Sequence, residues 1–130
     1  MNPTTLRRAW IAAIVVLVAA ITVASLSPQL PDAVDTLSDK VWHFLAYLSL
    51  GLAGSAITAP QRLWRTMLRC FLLGAALELT QGILTADRSP EWADLAANTA
   101  GIAVAWLVAG RGRAGWGMHV GDWLNARRER

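Results

Sequence analysis

Apolar residues fall into four long blocks along the chain, separated by short segments that hold prolines and charged residues. The blocks cover residues 9–26, 41–59, 67–85 and 92–109. Each has 18 or 19 residues, and an α-helix that crosses a bilayer needs about 17–25. Alanine and leucine dominate the blocks, and apolar and polar residues do not alternate, so the pattern predicts helices rather than strands. We therefore predict an all-α, four-helix transmembrane bundle of up-down-up-down topology over residues 1–110, followed by a tail at 111–130.

The composition agrees with a membrane protein and excludes several other classes. The chain is 55% hydrophobic and 16% charged, whereas about 25% of the residues of a soluble domain are charged. So apolar a chain is not intrinsically disordered. Cys70 is the single cysteine, which excludes a disulfide scaffold and a cysteine-rich structural zinc site.

The basic residues predict the orientation. Ten of the 12 lysines and arginines lie at the N-terminus, at positions 62–69 around the start of the third block, or in the tail; only Lys40 and Arg88 lie at the opposite ends of the blocks. Because lysine and arginine accumulate on cytoplasmic loops, we predict that both termini are cytoplasmic. The net charge of +3 then needs no nucleic-acid partner, and membrane lipids are the predicted partners. Four glycines between positions 112 and 121 favour a loosely ordered tail over a helix on the membrane surface.

Polar residues follow one face of each of the last three helices, near the predicted outer ends. Residues three or four positions apart share a helix face. The three stripes are Asp39, His43 and Tyr47; Glu78, Gln81 and Thr85; and Asp94, Asn98 and Gly101. Since all three begin at the same membrane surface, they predict a polar cleft that opens outward.

Glu78 is the leading functional candidate within these stripes. A carboxylate at membrane depth costs about 2.5–3.5 kcal/mol on insertion scales, so it normally faces a partner or a cavity. We expect it to be neutral or hydrogen-bonded to Gln81, Asn98 or His43. The alternative for the two amides is hydrogen bonding between helices, and Tyr47 is better explained as a core residue than as a ligand contact.

Arg88 and the second helix carry a further indication. Arg88 lies between Asp87 and Glu91 and is either a surface ion pair or an anion clamp. The run Asp39-Lys40-Val41-Trp42-His43-Phe44-Leu45-Ala46-Tyr47 resembles the DKxxHFxxY signature of VanZ-like membrane proteins. Glu78-x-x-Gln81, Arg88 and Asp94-x-x-x-Asn98-x-x-Gly101 are similar to the rest of that family's pattern.

The resemblance covers roughly residues 35–105 and departs from the family at one place. Family members often have Pro-Gly-Arg before the fourth helix, where this chain has Ala86-Asp87-Arg88. The resemblance implies a multi-pass protein of the bacterial inner membrane, in a family named for a member that raises tolerance to a lipoglycopeptide antibiotic. It implies no established reaction.

Three functions are compatible with these residues. The first is a protein that binds the headgroup of an envelope lipid or cell-wall precursor. The second is a membrane-embedded enzyme in which Glu78 and His43 act as general acid and base, although no serine or cysteine nucleophile lies in the stripes. The third is a proton-coupled carrier with Glu78 as its titrating group.

The binding hypothesis is the one we favour, and it predicts an anionic group at Arg88, Lys40 and His43. The ligand-binding candidates are Asp39, Lys40, His43, Tyr47, Glu78, Gln81, Arg88, Asp94 and Asn98. A metal site from Asp39, His43, Glu78 and Asp94 is the less favoured interpretation, so no metal and no cofactor is predicted. The sequence indicates no oligomeric state.

Overall fold

A computed structural model describes residues 2–27, 36–84 and 91–128. Within these ranges the chain forms five α-helices and no strand, which confirms the all-α prediction for the described residues. The helices are α1 (Pro3–Leu26), α2 (Thr36–Ala56), α3 (Leu63–Leu84), α4 (Trp92–Gly110) and α5 (Trp116–Arg128), with a 3-10 turn at Pro60–Arg62 before α3.

The centre of the molecule is the pair of helices α2 and α4, which form its most extensive contact. Small residues allow this close approach. A Cβ atom at Gly101 of α4 would lie only 2.8 Å from the backbone nitrogen of Leu48, and closer still to the carbonyl oxygen of Phe44. Gly51 of α2 faces Ala105 in the same way, because a Cβ there would lie 2.6 Å from the Ala105 Cβ. Backbones that meet at small residues are typical of membrane helix pairs.

The described helices expose apolar residues and bury polar ones. Val16, Leu79 and Ile83 are 68%, 61% and 81% exposed. The buried polar side chains include Glu78, Gln81, Asp94 and Asn98. This distribution fits a lipid environment, in which polar side chains turn toward the bundle interior. Among the described helices, α1 and α4 are long and apolar enough to cross a membrane, by length and composition.

Residues 116–128 of the C-terminal tail form a helix, contrary to our expectation of a loosely ordered segment. Trp116, the first residue of α5, packs edge-on against Trp10 of α1 with ring centroids 4.9 Å apart. Its indole N–H donates a hydrogen bond to the carbonyl oxygen of Leu52 at 3.2 Å. These contacts hold α5 against the ends of α1 and α2.

The tail glycines, which had suggested disorder, divide into two kinds. Gly112 and Gly115 have φ angles of +83° and +77°, which glycine adopts without strain, and they turn the chain between α4 and α5. Gly117 and Gly121 lie inside α5 where space is short, since a Cβ at Gly117 would lie 2.6 Å from the Trp10 indole nitrogen. Packing against α1 therefore outweighs the weak helix propensity of glycine.

Candidate functional site

A cavity of about 370 Å³ lies between α1, α2 and α3. Its polar lining comes from α2 and α3, and its α1 wall is formed mainly by small or apolar residues. The lining residues are Ala20, Ile21, Ala24, Ser25, Asp39, Trp42, His43, Ala46, Tyr47 and Gln81. The cavity is therefore amphipathic, with a polar end and an apolar wall.

Helical spacing explains why three of the polar lining residues meet. Asp39, His43 and Tyr47 follow one another at four-residue intervals on α2, so their side chains stack on the face toward the cavity. Tyr47 is 2% exposed, and its ring lies over Gly74 of α3, where a Cβ would be 3.2 Å from the tyrosine oxygen. Gln81 reaches across to α1 and donates a hydrogen bond from Nε2 to the carbonyl oxygen of Ser25.

Lys40 lies beside the cavity in a network of carboxylates. Its ammonium group contacts Asp39 Oδ2 at 3.4 Å, Glu91 Oε2 at 2.5 Å, and Asp94 Oδ1. The network ties the start of α2 to the start of α4. It directs Lys40 toward protein carboxylates, whereas we expected Lys40 to meet an anionic ligand.

His43 stands between an amide and two carboxylates. Its Nδ1 lies 3.1 Å from Asn98 Oδ1, so an Nδ1–H donates to that oxygen. Its Nε2 then points toward Asp39 Oδ1 and Asp94 Oδ2, each 3.9 Å away. Asp94 and Asn98 are 3% and 2% exposed. The described residues thus bring one imidazole nitrogen and two carboxylate oxygens within 4.8 Å of one another at the cavity's polar end.

Glu78 has a different position from the one expected. Its side chain is buried, and Oε1 accepts a hydrogen bond of 2.6 Å from the backbone N–H of Glu91. Glu91 is the N-cap residue of α4, and a carboxyl group is stabilising near the positive end of a helix dipole. Glu78 therefore supports the start of α4 and is not among the residues that line the cavity.

The predicted site residues divide into three groups. Four line the cavity: Asp39, His43, Tyr47 and Gln81. The others that are described lie behind or beside this lining: Asp94, Asn98, Lys40 and Glu78. Arg88 and Thr85 lie outside the described residues.

Sequence reasoning missed the contributions of α1 and of Glu91. The α1 helix bears no polar stripe, and only its small residues Ala20 and Ala24, one turn apart, signal a surface that leaves space for a neighbour. Glu91 was considered only as a partner for Arg88. Its side chain contacts Lys40 and its N–H contacts Glu78, both far away in sequence.

Comparison with known proteins adds one finding. A family model described as VanZ/LLP1 matches residues 10–111. This range contains most of α1, all of α2, α3 and α4, and every residue that lines the cavity. No curated protein and no solved structure matches the chain.

Proposed function

Because the chain belongs to the VanZ/LLP1 family, we propose that it binds the polar headgroup of an envelope lipid or of a lipid-linked cell-wall precursor. In this proposal α1 to α4 all cross the bacterial inner membrane, both termini are cytoplasmic, and the polar end of the cavity faces outward. We also propose a role in envelope integrity or in tolerance to glycopeptide-type antibiotics, with which membership of this family is consistent.

The observation that carries the proposal is the amphipathic lining of the cavity. Asp39, His43 and Gln81 offer polar contacts at one end, while Ala20 and Ala24 of α1 form an apolar wall. Ligand sites in proteins are largely apolar with a few placed polar groups. A lipid has the same division between a polar headgroup and apolar chains.

The weak packing of α1 supports entry of a lipid into the cavity from the membrane. Only 6% of the apolar window of α1 is buried inside the protein, against 33% for α4. The helix packs less extensively on α2 than α4 does. In this proposal a lipid headgroup enters the cavity past the edge of α1 while the lipid chains remain among other lipids.

A tryptophan on the α1 wall tests the proposal without touching the polar cluster. We expect Ala24→Trp to fill the cavity and to lower lipid occupancy at least tenfold, measured by native mass spectrometry of delipidated protein with phosphatidylglycerol or a polyprenyl phosphate. The matched control is Ala19→Trp, because Ala19 is exposed on the same helix and outside the cavity lining. Equal occupancy in both variants and the wild type would contradict the proposal.

An enzyme that acts on a lipid headgroup is the second candidate, and the position of His43 favours it. The imidazole of His43 lines the cavity, and a general base has to lie within reach of the proton that it takes from the substrate. Lipid extracts of deletion and overexpression strains separate the two functions. An enzyme changes which lipid species are present, whereas a binding protein changes only their amounts or the tolerance to antibiotics.

A further inference from the structure

The polar end of the cavity has an arrangement of atoms typical of a cation site. His43, Asp39 and Asp94 come from two helices, and one ring nitrogen and one oxygen from each carboxylate lie within 4.8 Å of one another. Metal–ligand bonds of about 2.0–2.2 Å place neighbouring ligands about 3.0–3.5 Å apart. The observed distances of 3.9 Å from Nε2 to each carboxylate oxygen therefore need to shorten by less than about 1 Å.

The groups around these three atoms orient them in the way that hydrogen-bonding partners orient the ligands of a metal ion. Metal-ligating histidines almost always donate the other ring N–H to an oxygen acceptor, and His43 Nδ1 has Asn98 Oδ1 at 3.1 Å. Lys40 contacts the opposite oxygen of each carboxylate, Oδ2 of Asp39 and Oδ1 of Asp94. Each aspartate is thus held by one oxygen on the lysine, with its other oxygen directed at the imidazole.

The described groups at this position are of the kind that binds cations. Three carboxylates, from Asp39, Glu91 and Asp94, already contact the ammonium group of Lys40. Moreover, the described residues that line the cavity include Asp39 but no lysine or arginine. A cation held at this position would attract the phosphate that most envelope lipids carry.

We propose that Asp39, His43 and Asp94 bind a divalent metal cation, which in turn coordinates a phosphate oxygen of the headgroup in the cavity. The second half rests on the proposed function. One imidazole and two carboxylates suit Mn²⁺, Mg²⁺ or Zn²⁺, and three protein ligands leave further coordination positions open toward the cavity. A bound cation is the largest local charge in such a site and reverses its preference from cations to anions.

The cation site is tested first with the metal alone. The full chain, purified in detergent and stripped with a chelator, is titrated with Mn²⁺ while electron paramagnetic resonance measures the free ion, and Mg²⁺ and Zn²⁺ compete. We expect one Mn²⁺ per chain, binding at least tenfold weaker in His43→Gln and in Asp94→Asn. Asp122→Asn is the matched control, because Asp122 is an exposed acid on α5, and it should bind as the wild type does.

Folding of each variant is measured on the same samples. If Asp94→Asn fails to fold, judged by circular dichroism, His43→Gln and the wild type still decide the result. The absence of saturable binding by the wild type, or unchanged binding in a folded His43→Gln, would overturn the cation site.

A second measurement separates this inference from the proposed function. We expect phosphatidylglycerol occupancy to fall at least tenfold when the chelator replaces Mn²⁺. Equal occupancy in the chelator would overturn the bridging cation and leave the headgroup proposal standing. Mn²⁺ binding with no lipid occupancy under either condition would support the cation site and contradict the headgroup proposal.

Discussion

Gly101 couples the packing of the bundle to the geometry of the site, and Gly101→Ala tests that coupling. A Cβ there would lie 2.8 Å from the Leu48 nitrogen and closer to the Phe44 carbonyl oxygen. Ordinary contacts of carbon with nitrogen or oxygen are about 3.4 Å, so α2 and α4 must separate by at least about 0.6 Å. Both neighbours are backbone atoms, so no side chain can rotate away. Overpacking of this kind costs about 1–3 kcal/mol.

The same separation of α2 and α4 also displaces site residues, because Phe44 follows His43 and Asn98 lies one turn before Gly101. The His43 Nδ1 to Asn98 Oδ1 distance is 3.1 Å, and a shift of about 0.6 Å takes it beyond the range of a good hydrogen bond. We therefore expect Gly101→Ala to lower both the melting temperature in detergent and the lipid occupancy.

The control for this substitution is Gly110→Ala on the same helix. A Cβ at Gly110 has its nearest neighbour at 3.7 Å, an ordinary contact, and alanine is the better helix former by about 1 kcal/mol. This variant should be as stable as the wild type or more so. If Gly101→Ala has the same melting temperature as Gly110→Ala and binds lipid as the wild type does, the close approach of α2 and α4 is refuted.

Three further predictions concern other parts of the molecule. Glu78→Gln keeps an acceptor for the N–H at the start of α4 but replaces a carboxyl hydrogen bond with a weaker amide one. We therefore expect the free energy of unfolding to fall by about 1 kcal/mol and lipid occupancy to stay within twofold of the wild type. Lost occupancy at wild-type stability would instead show that Glu78 belongs to the binding site. Trp116→Phe removes the indole donor to α2, so it should lower the free energy of unfolding by about 1 kcal/mol and speed hydrogen exchange in α5. Trp123 is exposed, so Trp123→Phe should have neither effect. Equal exchange rates in the two variants would argue against the docking of α5. Reporter fusions at Arg65 and Arg88 should be active in the cytoplasm and periplasm respectively, and the reverse would overturn the orientation proposed from the basic residues.

The helices and the direction of their polar faces were predictable from the sequence. Apolar blocks of 18 or 19 residues, rich in alanine and leucine and bounded by proline and charge, favour helices over strands, and α2, α3 and α4 occur where such blocks lie. Likewise Asp39, His43 and Tyr47 share a face because four residues make about one turn. Both conclusions depend only on local geometry, which a sequence displays directly.

The contacts of the site depend on which faces meet, and that was settled by tertiary packing. Nothing in the spacing of Lys40 shows that its ammonium group meets Asp94 and Glu91, more than 50 positions away, or that Glu78 supports the first residue before α4. The α1 wall of the cavity and the docking of α5 on Trp10 were hidden for the same reason. Helical periodicity specifies which face of a helix a side chain lies on. The residue that this side chain contacts depends on which helices pack together and how closely, and here glycines such as Gly101 permit the close packing.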